Sequence, residues 1–255
     1  MMLGAHVPAA DPLGEAAQRG AEVVQIFLSN PQSWKKPNPR SDASALRDSP
    51  IPIYVHAPYL VNLVADSTRV RIPSRRILQE TCDAAADVEA AGVVVHGGHA
   101  TGDGEMSESF GRWRKALSQL DSAVPVLIEN TAGGDNAVVR SIENIRLLWD
   151  EIGDLGPGYV LDTCHAWAGG EPMDELVERT LDAVGRIDLV HLNDSRDPFD
   201  SRRDRHANLG SGEIPPDDLA MVVRTAGAPV VIETPGDAAD HLADLDWIRN
   251  VVGAG

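Results

Sequence analysis

Cysteine is scarce in this chain of 255 residues; there are two. A disulfide framework needs more, so the fold must rest on a packed core, and the thiols suit a reducing compartment. No apolar run approaches the length needed to span a bilayer. The opening segment, MMLGAHVPAAD, has neither a basic start nor an apolar stretch of the kind that directs secretion. These absences make a soluble, cytoplasmic protein without membrane partners the expectation. Lysine is also rare, with three residues (Lys35, Lys36 and Lys115) in a chain of net charge −17. That overall charge argues against a nucleic-acid partner. The remaining cations are clustered, however: Arg69, Arg71, Arg75 and Arg76 form one group, Arg196, Arg202, Arg203 and Arg205 another, and Lys35, Lys36 and Arg40 a third. An acidic body with local basic loops is compatible with a phosphate ligand, although solvated surface charge accounts for each group as well.

What the chain does have is alternation. Short apolar runs near Leu3–His6, Val23–Leu28, Ile53–His56, Val93–His96, Val124–Glu129, Val160–Asp162, Leu189–His191 and Val230–Glu233 read as strands buried on both faces. Amphipathic stretches lie between them. One, over 73–91, opens at Pro73 and lines up Leu78, Cys82 and Ala85; another lines up Ile142, Ile145, Trp149 and Ile152. Gly92 and Gly153 stand where helices are expected to end. Eight β/α units predict a single (β/α)8 TIM barrel over residues 1–255. A doubly wound sheet is the alternative, but no Gly-x-Gly-x-x-Gly follows the first strand. Long loops are predicted after strands two, three and seven (29–40, 57–72 and 193–216), a length that usually serves function.

The strand ends carry the chemistry. Strands three to eight finish on His56, His96, Glu129, Asp162, His191 and Glu233, each able to ligate a metal. In a barrel such ends converge on one face, where His165, Asp204 and His206 would join them from loops. A single histidine in an apolar strand is more often a packed core residue. Six consecutive strand ends are not explained that way, because buried carboxylates need counter-charge, which divalent cations supply. Nine nitrogen and oxygen ligands exceed what one tetrahedral ion takes and suit two or three, with zinc or manganese favoured by the imidazoles. For Asp162 alone the plainer reading is an N-cap that starts a helix. His6 and His99 read as supporting hydrogen-bond partners or substrate contacts, Cys164 and Cys82 as packing residues, and His241 as a surface residue.

Seven segments, taken together and in order, resemble the endonuclease IV (deoxyribonuclease IV) family. They are GAHV at 4–7, HAPYLVNL at 56–63, IENTAG at 128–133, DTCHA at 162–166, HLND at 191–194, DRHANLG at 204–210 and IET at 232–234. The resemblance implies a xylose-isomerase-like barrel, usually monomeric, with a cluster of three zinc ions. His56, His96 and Glu129 would hold the first, Glu129 bridging to a second held by Asp162, His191 and Glu233, and His165, Asp204 and His206 the third. It further implies DNA repair on duplexes with abasic sites or blocked 3′ ends. The cut falls 5′ to the abasic site and leaves a 3′-hydroxyl and a 5′-deoxyribose phosphate. Glu129 and Glu233 would be catalytic, Glu233 orienting the attacking water. Tyr59 and Leu60 match residues that wedge into the duplex, and Gln32 and Trp34 lie in a second DNA-contacting loop. Two departures concern DNA rather than metal: Gln32 replaces an arginine of better-known relatives, and the segment His96–His99 is one residue shorter. The competing reading is a sugar isomerase or epimerase, which shares the set Glu129, Asp162, His191 and Glu233. Such an enzyme has no need of His56, His96, His165, Asp204 or His206.

Overall fold

Runs of Val, Ile and Leu too short to be helices pair into a parallel sheet that closes on itself. The computed structural model describes residues 1–102, 105–134 and 136–253. Its barrel strands are β1 Leu3–His6, β2 Val23–Ile26, β3 Ile53–His56, β4 Gly92–His96, β5 Val126–Glu129, β6 Gly158–Asp162, β7 Leu189–His191 and β10 Val230–Ile232. They close in the order β1-β10-β7-β6-β5-β4-β3-β2, every pairing parallel. The remaining strands, β8 Asp194–Ser195 and β9 His206–Ala207, form an antiparallel ribbon inside the loop that leaves β7.

The helices cover the outside: α1 Pro12–Arg19, α2 Ala43–Arg47, α3 Thr68–Asp87, α4 Met106–Leu117, α5 Ile142–Ile152, α6 Thr163–Gly169, α7 Leu176–Val184, α8 Pro216–Thr225 and α9 Ala238–Gly253. Their buried stripes pack on the outward faces of the strands in one large apolar cluster. A second, smaller cluster takes one residue from each of seven strands: Val23, Tyr54, Val94, Leu127, Val160, Leu189 and Val231. These fill the barrel interior.

Several expectations need correction. The third helix starts at Thr68 rather than Pro73. Ser67 caps it by accepting from Arg69 N at 3.3 Å, and Pro73 lies in the second turn. Proline prefers a first turn, but further in it costs one backbone bond, which a helix of 20 residues tolerates. Gly92 does not end that helix; it begins β4, and Val88 is the C-cap. The second strand stops at Ile26, two residues short of the expected end. His241 is buried: Arg19 Nε donates to its Nδ1 at 3.0 Å, and its Nε2 lies 2.8 Å from the carbonyl of Thr234. Gly98, at φ +76, allows the loop after β4 to approach the loop after β3, since a Cβ there would stand 2.6 Å from Asn62 Oδ1.

Candidate metal centre

Alternation along the strands builds the site. Residues two apart on a strand face the same side, so the layer above the interior cluster is read two positions on. Val23, Tyr54, Val94, Leu127, Val160, Leu189 and Val231 are followed by Gln25, His56, His96, Glu129, Asp162, His191 and Glu233. On β1, Gly4 is followed by His6. The barrel thus carries a plug of hydrophobic side chains, six aliphatic and Tyr54, under a ring of polar ones at the carboxyl ends of the strands, where barrel enzymes place their chemistry.

The nine side chains expected to converge do so. His56 Nε2 and His96 Nε2 lie 3.2 and 3.4 Å from Glu129 Oε2. The other oxygen of Glu129, Oε1, faces His191 Nδ1 at 3.0 Å and His165 Nδ1 at 3.3 Å. Glu129, Asp162, His191 and Glu233 present ligand atoms within 4.8 Å of one another, as do His56, His96 and Glu129. Asp204 reaches in from the loop after β7, with Oδ2 3.1 Å from His165 Nε2 and Oδ1 3.1 Å from His206 Nε2. The β8–β9 ribbon makes this possible by returning His206 to the barrel mouth. Cys164, expected to pack, is fully buried, yet its sulfur also lies within 4.8 Å of ligand atoms of Asp204 and His206. Burial pushes its thiol up to about 12, which disfavours the thiolate.

Surrounding groups fix the ligands in place. His56 Nδ1 is 2.7 Å from the carbonyl of Ala57, His165 Nδ1 2.9 Å from that of Asn130, and His206 Nδ1 3.2 Å from that of Glu233. In each ring the second nitrogen, Nε2, is thereby turned toward the carboxylates. Asn130 exchanges two backbone–side-chain bonds with Asp162 at 2.7 and 2.9 Å. Asn193 donates to Asp162 Oδ2 at 2.7 Å and accepts from Glu233 N at 2.8 Å.

The electrostatics fit cation binding. Burial alone would raise Glu129, but His191 and His96, with hydrogen bonds from His165 and His191, hold it well below the usual carboxylate range. Burial likewise opposes charge on His191 and His206, yet neighbouring carboxylates draw both up to about 9. Burial wins at His96, which is pushed down to about 4, and at Asp162, which is raised. Buried carboxylates therefore lean on protonated imidazoles for counter-charge. Divalent cations supply that charge to neutral imidazoles instead. His206 Nε2 sits between Asp204 Oδ1 at 3.1 Å and Asp162 Oδ2 at 3.8 Å, as a cation ligand would.

Outside the nine ligands, the outcome is mixed. Tyr59 is 52% exposed and stacks on the His96 ring at 5.8 Å, so it roofs the centre; Leu60 beside it is half-buried. Both line a cavity of about 900 Å³ that reaches His165 and Asp204. Gln32 is exposed, whereas Trp34 packs partly against the main core. His6 Nδ1 lies 3.1 Å from Glu233 Oε1. His99 is exposed on the cavity wall, and its carbonyl accepts from Asn62 Nδ2 at 2.8 Å. Much of the arginine charge is already matched: Arg205 grips Asp197, and Arg40 grips Asp42. Sequence reasoning missed Gln25, fully buried in the ring with contacts to His6, His191 and Glu233. Its signal was a lone amide in the apolar run VVQIF, at the inward-facing position.

Known proteins bear directly on this geometry. The family model for xylose isomerase-like TIM barrels matches residues 13–251. The probable endonuclease 4 of Mycobacterium tuberculosis is 60% identical over 254 residues, covering 100% of both chains. Endonuclease IV from Thermus thermophilus superposes with a TM-score of 0.87 at 30% identity over 100% of each chain. A D-tagatose 3-epimerase-like protein reaches a TM-score of 0.80 over 100% of this chain and 98% of its own, but at 19% identity, a likeness of fold alone. With full-length identity to such relatives, this chain belongs to the endonuclease IV family of xylose isomerase-like TIM barrels.

Proposed function

We propose that the protein is an apurinic/apyrimidinic endonuclease of DNA base-excision repair that works with three zinc ions. One observation carries the reading: nine ligand side chains converge at one barrel mouth in groupings that share Glu129 and Asp162. His56, His96 and Glu129 would hold the first ion. Glu129, Asp162, His191 and Glu233 would hold the second, and His165, Asp204 and His206 the third. Manganese is compatible with part of this set. Bound ions of this kind supply Lewis acidity, neutralising phosphate oxygens and making water nucleophilic near neutral pH.

The chain's own groups do the rest. Glu129 spans two groupings because its oxygens face different imidazoles. Glu233, restrained through Oε1, accepts a hydrogen bond from the attacking water and orients it. Water adds to phosphorus, the bond to the 3′ oxygen breaks, and that oxygen leaves as a hydroxyl, with the phosphate retained on the 5′ side of the abasic sugar. Tyr59, exposed over the centre, and half-buried Leu60 beside it are placed to occupy the gap left by an extruded abasic nucleotide, whose removal is cheap where no base pairs. Gln32 and Trp34 contact the duplex from the loop after β2, with Lys35 and Lys36 exposed beside them. The same centre trims blocked 3′ ends, where the scissile bond is again a phosphoester. In this reading the enzyme acts in the cytoplasm as a monomeric single domain; no helix among the described residues is long and apolar enough to cross a membrane.

A sugar epimerase would use only Glu129, Asp162, His191 and Glu233. The convergence of His56, His96, His165, Asp204 and His206 on the same mouth favours the nuclease. Nicking of a duplex with a single abasic analogue, alongside metal analysis of the purified protein, tests the proposal. Metal analysis giving one ion, with an intact abasic duplex, would refute it.

A further inference from the structure

The polar ring has one member from each barrel strand, and all are histidines or carboxylates except Gln25. Its contacts settle the orientation of its amide. Gln25 Nε2 lies 2.6 Å from Glu233 Oε1. A carboxylate only accepts, so the atom facing it is the amide nitrogen; the reverse orientation would oppose two oxygens. Gln25 Oε1 therefore faces His191 Nε2 at 2.9 Å. An amide oxygen also only accepts, so the proton of neutral His191 is on Nε2. The lone pair is then on Nδ1, which faces Glu129 Oε1 at 3.0 Å and Glu233 Oε2 at 3.5 Å. His6 Nδ1 lies 3.0 Å from the Gln25 amide nitrogen and 3.1 Å from Glu233 Oε1.

We propose that Gln25 is a positioning residue of the metal centre: its amide fixes His191 as the Nε2–H tautomer, leaving Nδ1 as the ligand, and restrains Glu233 through Oε1. The proposal rests on the metal-dependent reading above. His191 differs in this from His56, His165 and His206, whose Nδ1 atoms bond backbone carbonyls and whose Nε2 atoms face inward. A histidine turned the other way needs an acceptor at its Nε2, and a side chain from β2, across the barrel, supplies one. Nothing else in the proposed reaction calls for an amide at this depth.

The test uses Gln25→Met, of similar length but unable to donate or accept, and Gln25→Glu, which keeps an acceptor for His191 and loses the donor to Glu233. Wild type is first loaded with zinc and its ions counted, which tests the metal-dependent reading by itself. Chelator titration then compares affinities. In Gln25→Met the weakest-held zinc is expected to be lost about 10- to 100-fold more readily, the usual effect of removing a group that orients a ligand. The turnover number should fall with it while KM for the abasic duplex holds. Long-range ¹H–¹⁵N spectra of His191 in chelator-treated protein, recorded well above about pH 9 where the ring is neutral, should show the Nε2–H tautomer in wild type and Gln25→Glu, and a mixture in Gln25→Met. If Gln25→Met does not fold, Gln25→Glu carries the test: its tautomer is retained and its zinc affinity falls. Wild-type zinc affinity in either variant, or an unchanged His191 spectrum in a folded Gln25→Met, overturns the proposal while leaving the wild-type ion count standing.

Discussion

Asp162 Oδ1 accepts the backbone N–H of His165 at 2.6 Å, so the carboxylate at the end of β6 caps the helix that begins right after it. Its other oxygen, Oδ2, takes a hydrogen bond from Asn193 and faces His206 Nε2 at 3.8 Å. A helix cap and a metal ligand are alternative readings of this residue in sequence; the structure gives each oxygen one of the two environments. Substitution separates them. Asn caps as well as Asp does, whereas Ala removes a cap at a cost of about 0.5–2 kcal/mol. Chelator-treated Asp162→Asn should therefore be more stable than Asp162→Ala by that margin in urea denaturation, while both variants lose zinc. Equal stabilities would remove the capping role.

Glu129 has zero exposure and imidazoles at both oxygens. Glu129→Ala should keep its fold by circular dichroism, lose bound zinc, and lose nicking activity by more than roughly 100-fold, the scale on which a fixed electrostatic group contributes. Full activity in that variant would end the bridging role.

Tyr59 offers an exposed ring over the centre without ligating anything. Tyr59→Ala should leave the zinc content unchanged and weaken binding to an abasic duplex by about 1–3 kcal/mol, as expected for an aromatic side chain that stacks on bases. Loss of zinc with unchanged DNA affinity would place the residue in the metal centre instead.

Away from the mouth, Asp66 joins the loop after β3 to α4 and to Thr101. Its carboxyl is held down to about 2 by the Arg112 side chain and by the backbone N–H of Thr101. A carboxyl lower in the folded than the unfolded chain stabilises the fold above its unfolded value, near 4, and that contribution fades as pH falls toward about 2. The stability difference between wild type and Asp66→Asn should thus be full at about pH 6 and should shrink between about pH 4 and pH 2, read by denaturant titration at each pH. A difference that grew on acidification would contradict the assignment.

The barrel and its ligand ring were legible because both follow from period two. Each strand announces itself by its aliphatic residues, and the ligands on β3 to β7 end their strands, so local pattern placed His56, His96, Glu129, Asp162 and His191 within the observed strands; Glu233, expected to end the last one, lies one residue beyond β10. Gln25 escaped because an uncharged amide in an apolar run has no chemistry of its own; only its partners on distant strands give it a role. His241 was misread for a related reason, since its partner Arg19 lies 222 residues away. The β8–β9 ribbon has two-residue strands, too short for any period to show, yet it brings His206 to the centre. Pro73 misled because a first-turn preference is not a rule, and Ser67 was the better cap.

The central claim is that nine converging side chains build a three-metal centre for cutting DNA at abasic sites. The most direct test is to measure zinc per chain and nicking of a duplex with one abasic analogue in the same preparation, before and after chelation and after zinc is restored. The account predicts about three zinc ions per chain, incision that leaves a 3′-hydroxyl, loss of both on chelation, and return of both with zinc. One ion per chain and an abasic duplex left intact, under conditions where a known endonuclease cuts it, would contradict it.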